Sequence, residues 1–460
     1  MGDARLPPDN RVLFIHPRCY RPYGRTGQVP MGIIGLMNDL PFPKTGVFAQ
    51  HLRPGDLDGA RVVVMDVHWY FALTNAIDLA HRIKKQKPGI VIIVGGYTAT
   101  IYAEELLAAA PIDYVLTGDA EGIFRELISN LLEGGSVRHL PNLRWRGGQS
   151  GALYTTTPED YDRLDYYTID WFPSLNRIAQ YLQQRNPYPT FIYPFVPVFK
   201  GCISACLNCY GTPANQLALC KRPRVTRGSA AVRRDLDRLS ADRQIRLAYM
   251  VTDFAAFENR DYVTAALDGR FELDLLYEFC HVPQLETVEL FKQAFRRLHV
   301  VLSTLRNHAE PRLAPDFSRL PEVIQAFANG RNTITLLINT NLGKEIADYS
   351  EKTLQIWRTF PRAEILDAGI INIAVPAPEL PDRQRQTEFQ NFLLKSRRRS
   401  PIGYMVRERM VRFMFTRAST TCVLRKMHTV QNLIQCFFSR LMDGVKRNLR
   451  HEPVGRNAIK

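Results

Sequence analysis

Gly201-Cys202-Ile203-Ser204-Ala205-Cys206-Leu207-Asn208-Cys209-Tyr210 places three cysteines within eight residues, spaced C-x3-C-x2-C. Three thiolates so spaced reach one small iron–sulfur cluster and leave its fourth iron without a protein ligand. Zinc sites usually use paired C-x2-C units and four ligands, and no second pair lies nearby. With 8 cysteines in 460 residues, chance would set three at these offsets with a probability of about 0.002. Cys202, Cys206 and Cys209 are therefore the expected metal ligands.

Upstream of the motif the chain alternates strands and helices. Arg11–Ile15 is an apolar run ending at His16-Pro17, as a buried parallel strand should. Pro30 sits at the first turn of a helix beginning Met31-Gly32-Ile33. Further strands are expected at Arg61–Met65, Ile90–Val94 and Tyr114–Leu116, with a helix from about Leu73 to Lys87. The strands run into Asp66-Val67-His68, Gly95-Gly96 and Thr117-Gly118-Asp119-Ala120-Glu121. Loops at such carboxyl ends form the ligand crevice of a doubly wound sheet. Residues 147–190, rich in Tyr, Pro and Arg, read as a linker strapping two domains together.

Downstream, Phe195–Phe199 is a strand whose carboxyl end releases the cysteine loop, where βα-barrel active sites lie. Apolar runs at Ile245–Val251, Leu273–Phe279, Val300–Ser303, Thr333–Asn339 and Gly369–Val375 continue the barrel, with helices at Ala230–Leu239 and Thr287–Arg297.

The cysteine motif resembles that of radical S-adenosylmethionine (SAM) enzymes, and the first half resembles the cobalamin-binding domain that precedes many of them. The matching features are the Pro-Met-Gly helix entry, the Val94-Gly95-Gly96 turn and the Thr117–Glu121 turn. Cys220–Arg227 is similar to the stretch after the motif in the cobalamin-type members, with Lys200 standing for their arginine and Tyr210-Gly211 for their paired glycines. Asn208 departs from the aromatic that often precedes the third cysteine.

The resemblance implies an α/β protein. Residues 1–146 would be a doubly wound parallel-sheet cobalamin-binding-like domain, 147–190 a linker, 191–390 a partial βα-barrel and 391–460 a basic helical tail. It implies a 4Fe–4S cluster, SAM and cobalamin as cofactors, with Gly95, Gly96 and Gly118 near the corrinoid. The family's Gly-Gly-Glu-type turn for the SAM amino group is missing. Asp253 is either its substitute or a helix cap, while Ser303 and Asn339, at later strand ends, are in place for the ribose or carboxylate. Cobalt-ligating members carry Asp-x-His-x-x-Gly after the first strand, and this chain does not. Asp66-Val67-His68 has only the first half, so His68 is expected to be a pocket or core residue and the lower face of the corrinoid to lack a histidine.

The implied activity is methyl transfer to a carbon of a small-molecule or carrier-bound intermediate, fed by an external one-electron reductant of flavodoxin or ferredoxin type. On the same scaffold the alternative is radical cyclisation or oxidation without methyl transfer. No apolar stretch approaches a membrane span and the amino terminus lacks a signal-peptide core, which points to no membrane and a cytoplasmic protein. Cysteines outside the motif (Cys19, Cys220, Cys280, Cys422 and Cys436) are scattered and read as ordinary buried thiols. The net charge of +15 is lopsided. Residues 395–460 hold 16 Lys and Arg against three acids, while the preceding 394 hold 44 against 42. A near-neutral body argues against extended nucleic-acid contact. The basic tail is either a solvated extension or a dock for an acidic carrier protein.

Overall fold

The computed structural model describes residues 10–18, 31–69, 72–177, 179, 194–203, 212–250, 253–303, 319–328, 332–339, 364–368, 386–387 and 389–390. Two compact units are present, Met1–Arg397 and Arg398–Lys460. All described residues belong to the first, and the basic tail, Cys206 and Cys209 are not among the described residues. Among the described residues no helix is long and apolar enough to cross a membrane.

The first sheet is built from β1 (Arg11–His16), β2 (Lys44–Phe48), β3 (Ala60–Asp66), β4 (Val91–Gly95), β5 (Tyr114–Leu116), β6 (Leu143–Trp145) and β7 (Gly148–Gln149), in the order β2-β1-β3-β4-β5-β6-β7. The first five run parallel, and the last two add antiparallel at the edge. This is a doubly wound order, with its switch point between β1 and β3. Strand side chains alternate between faces, so each strand feeds two cores. Leu13, Ile15, Val63, Met65, Ile92 and Val94 pack with Leu73, Ala76, Ile77, Ala80 and Ile83 of the helix Leu73–Gln86. Val12, Phe14, Val62, Val64 and Ile93 face the helices Met31–Asn38 and Phe124–Glu133. Burial on both faces is why these strands read as unbroken apolar runs.

Strand β2 has no such run and carries Gly46 in the middle. Tertiary packing makes it a strand. A Cβ at Gly46 would stand 2.6 Å from the Phe172 ring, and the Gly46 amide donates to the Trp171 carbonyl at 2.6 Å. Trp171 and Phe172 meet Phe14 edge-on at centroid distances of 6.1 and 5.8 Å. The aromatics of the connecting stretch thus complete the core of the first sheet.

The second module begins with β8 (Phe199–Lys200) and β9 (Val225–Thr226), a short antiparallel pair. Its main sheet is β10 (Leu247–Met250), β11 (Phe271–Phe279), β12 (Phe295–Ser303), β13 (Thr333–Asn339) and β14 (Glu364–Ala368), parallel and in sequential order. Helices Phe254–Phe257 and Arg260–Leu267, Leu285–Ala294, and Leu320–Ala328 intervene in turn between β10 and β13. Sequential parallel strands with crossover helices are a βα-barrel progression left open.

Two expectations are corrected. Phe195–Phe199 is not one continuous strand: Phe195 bridges Tyr249 in parallel, and only Phe199 begins a short strand. Pro194 and Pro197 lack the amides a ladder needs, and the Pro197 carbonyl accepts from Arg227 Nη1 at 3.0 Å instead. The helix expected to reach Arg297 ends at Ala294, because Phe295 already pairs with Phe271. Among the described residues the sheet ends with Glu364–Ala368, and the strand expected at Gly369–Val375 lies outside the described residues.

Candidate functional site

The carboxyl edge of the first sheet brings His16, Asp66, Gly95 and the turn after β5 to one end of the module. His16 Nδ1 and the Asp66 carboxylate meet at 2.8 Å across the β1/β3 switch point. Fifty residues separate them, and no local pattern signals the pair. His68 packs between aromatic rings, with centroids 4.9 Å from Trp69 and 4.7 Å from Tyr97, and is partly exposed.

The three glycines singled out in the sequence stand in different situations. Gly96 has φ +104°, and a Cβ there would lie 2.8 Å from the His68 amide nitrogen. Gly118 has φ +69°, and a Cβ would approach the Leu219 carbonyl at 3.3 Å. Both are therefore required by packing within the chain. At Gly95 an added Cβ would meet only Leu116, at 3.6 Å. Of the three, Gly95 is the one that internal packing leaves open to an approaching ligand.

The turn after β5 carries a buried charge cluster that reaches the second module. Asp119, 1 % exposed, accepts from Lys200 Nζ at 3.1 Å, from Arg222 Nη2 at 2.9 Å and from Arg222 Nε. Lys200 also donates to Glu121, and the Thr156 hydroxyl donates to the same carboxylate. Arg222 Nη1 donates to Gln216 Oε1 at 3.2 Å and to the Lys200 carbonyl at 3.4 Å. Gln216 in turn donates to the Tyr97 hydroxyl at 3.0 Å. Burial opposes ionisation of Asp119, but Lys200 and Arg222 outweigh it and hold the carboxyl well below its usual range. For Lys200, burial is outweighed by Glu121 and Asp119, which keep the ammonium charged. Beside them the Cys220 thiol is pushed up to about 12, by burial and then by Asp119.

Lys200 immediately precedes Gly201-Cys202. Gly201 has φ +84°, and a Cβ there would come 2.8 Å from Cγ of the buried Gln216. Cys202 is half-buried and forms no disulfide. Among the described residues no group of three His, Cys, Asp or Glu gathers as a metal site, since Cys206 and Cys209 fall outside. The donor set itself, three thiols within eight residues, fits an iron–sulfur cluster. The doubly wound crevice and the open position at Gly95 fit a nucleotide-bearing cofactor.

Asp253 follows β10 and is 1 % exposed. It caps the helix Phe254–Phe257 through the Ala256 amide at 3.2 Å and accepts from the Tyr277 hydroxyl at 3.0 Å. Its other oxygen accepts from the Cys280 amide and meets His281 Nδ1, each at 2.6 Å. The helix cap, one of the two readings left open for Asp253, is present. No local sequence pattern signals the His281 contact. Ser303 and Asn339 close β12 and β13, pairing with Leu337 and Ala368.

Residues 56–128 match the family model of the B12 binding domain. No curated protein matches the sequence. The fold is similar to that of the radical SAM methyltransferase TsrM from Kitasatospora setae, solved with cobalamin and a 4Fe–4S cluster bound. That likeness has a TM-score of 0.54 at 11 % identity and covers 77 % of this chain and 72 % of that one. The same enzyme with tryptophan substrate and a SAM analogue gives a TM-score of 0.52 at 12 % identity over the same shares. The cobalamin-dependent SAM radical enzyme OxsB, with aqua-cobalamin bound, gives 0.52 at 12 % identity, covering 84 % of this chain and 56 % of that one. The chain thus carries a B12-binding domain in the two-module fold of cobalamin-dependent radical SAM enzymes.

Proposed function

We propose that the protein is a cobalamin-dependent radical SAM methyltransferase acting on a carbon of a small-molecule or carrier-bound intermediate. The observation that carries the reading is the entry of the C-x3-C-x2-C motif. Cys202 stands two residues after Lys200, which is anchored to the loop at the carboxyl end of β5 in a B12-binding fold. The two proposed cofactor regions therefore share one junction. TsrM, of the same fold, is a methyltransferase solved with tryptophan, and this supports methyl transfer to a small molecule as the first activity to test.

In this reading Cys202, Cys206 and Cys209 hold the cluster. The crevice beside His16, Asp66 and Gly95 takes the corrinoid, with Gly96 and Gly118 shaping its loops from behind. When bound, the cluster and SAM supply a 5′-deoxyadenosyl radical and the corrinoid supplies a transferable methyl group. The chain's part is placement. Asp253 ties the end of β10 to the loop after β11 through Cys280 and His281, fixing the barrel mouth where Ser303 and Asn339 stand ready for SAM. A cytoplasmic setting and a flavodoxin- or ferredoxin-type reductant go with this chemistry.

The test is anaerobic reconstitution with iron, sulfide and hydroxocobalamin, followed by SAM and a chemical reductant. A cluster absorption band, a bound corrinoid spectrum and formation of methylcobalamin are expected. Cleavage of SAM with bound corrinoid but no methylated corrinoid would favour cyclase or oxidoreductase chemistry. Absence of both cofactors would overturn the reading.

A further inference from the structure

The charge cluster links the turn after β5 to the residue ahead of Gly201-Cys202. From the first module, Tyr97 directly follows Gly95-Gly96 and accepts from Gln216 at 3.0 Å. Gln216 accepts from Arg222 at 3.2 Å. Arg222 donates to the Lys200 carbonyl at 3.4 Å and clamps Asp119, which also takes the Lys200 ammonium at 3.1 Å. Gly201 is then pressed against Gln216 and leads into Cys202. Every link is a named contact, and Asp119, Gln216 and Arg222 are each under 5 % exposed.

We propose that this relay, Tyr97–Gln216–Arg222–Asp119–Lys200, is a positioning device that fixes the cysteine loop entry at a set distance from the corrinoid crevice. The inference rests on the function proposed above and adds to it the residues that set the spacing of the two cofactors. Lys200 is held twice, through its side chain by Asp119 and Glu121 and through its carbonyl by Arg222. A shift of the first module's β5 loop is thereby transmitted to the backbone one residue before Gly201. A buried pair is weak evidence of stability in itself, because desolvation offsets much of the attraction. Fixing one geometry is its better-supported use here, since the contacts run unbroken through five side chains from Tyr97 to Lys200. The geometry matters because two reacting cofactors must be held within a narrow range of separations for group transfer.

The experiment measures that separation directly, without a substrate. Protein reconstituted with cluster and cobalamin is reduced to the paramagnetic cluster and cob(II)alamin, and pulsed electron paramagnetic resonance reads the distance between them. Lys200→Met and Tyr97→Phe should keep iron and corrinoid content while shifting and broadening the distance distribution. Lys200→Arg should restore the narrow wild-type distribution. Tyr97→Phe removes one hydroxyl only, so it stands as the test should Lys200→Met fail to fold. Wild-type distributions in the variants, with both cofactors bound, would overturn the positioning role alone. A wild-type protein lacking either signal would overturn the functional reading, and the inference with it.

Discussion

Lys200 and Asp119 lie 81 residues apart in the chain and meet at 3.1 Å, joining the residue ahead of the cysteine motif to the turn that closes β5. Arg222 grips the same carboxylate from the other side. Asp119→Asn should leave Lys200 with Glu121 and take from Arg222 the carboxylate it clamps. Removing one partner of a buried charge cluster costs about 3–5 kcal/mol, so a large drop in the denaturation midpoint is expected. The native carboxyl titrates below its unfolded value. Its stabilisation is therefore complete above the ordinary carboxylate pKa of about 4 and is lost as pH falls through the depressed native value. Urea titrations of wild type and variant at pH 7 and below pH 4 check both points, and equal midpoints at pH 7 would refute them.

Replacing Cys202, Cys206 and Cys209 together with alanine should remove most bound iron and abolish reductive SAM cleavage, since the cluster needs three thiolates. Iron analysis and 5′-deoxyadenosine assay decide it. Full iron content with intact cleavage would rule the three cysteines out as ligands.

Gly95 and Gly96 should respond in opposite ways. Gly96→Ala forces a Cβ onto the His68 backbone at φ +104°, a strain of about 1–3 kcal/mol that should appear as lost stability. Gly95→Val meets only Leu116 at the first carbon, so stability should hold while hydroxocobalamin affinity falls about tenfold, or about 1.4 kcal/mol. Calorimetric melting and corrinoid titration of both variants separate the effects. Unchanged affinity in Gly95→Val would free that position from the corrinoid.

His299, buried on β12, has its pKa lowered to about 4 by burial and then by the neighbouring Arg297. A depressed native value means stability present above the unfolded pKa of about 6.5 and lost as pH falls toward 4. The loss should approach about 3 kcal/mol at the acid end. His299→Gln should flatten the stability profile between these limits, measured by denaturant midpoint against pH. A profile as steep as wild type would assign the loss elsewhere.

Cys220 is 2 % exposed with its thiol pushed up to about 12. At pH 8.5 it should resist iodoacetamide in the folded protein and react in urea, because the thiolate is the nucleophile. Peptide mapping would show a failure as folded-state alkylation of Cys220.

The amino-acid sequence determined what depends on neighbours along the chain. Apolar runs flanked by Gly, Pro and Asp placed β1, β3, β4, β5, β11 and β13 within a few residues, because strands buried on both faces need continuous hydrophobicity. The three-cysteine spacing pointed to a cluster chemistry for the same reason, since the proposed ligands are close in sequence. Tertiary structure decided the rest. Strand β2 exists because Phe172 and Trp171 close over Gly46. Asp253 is a cap because Tyr277, Cys280 and His281 arrive from β11 and the loop beyond it. His16 with Asp66, and Asp119 with Lys200 and Arg222, are pairs of charged or polar groups 50 to 103 residues apart. A buried charge selects its partner by proximity in space, after desolvation has made a partner necessary. Sequence separation carries no trace of that choice.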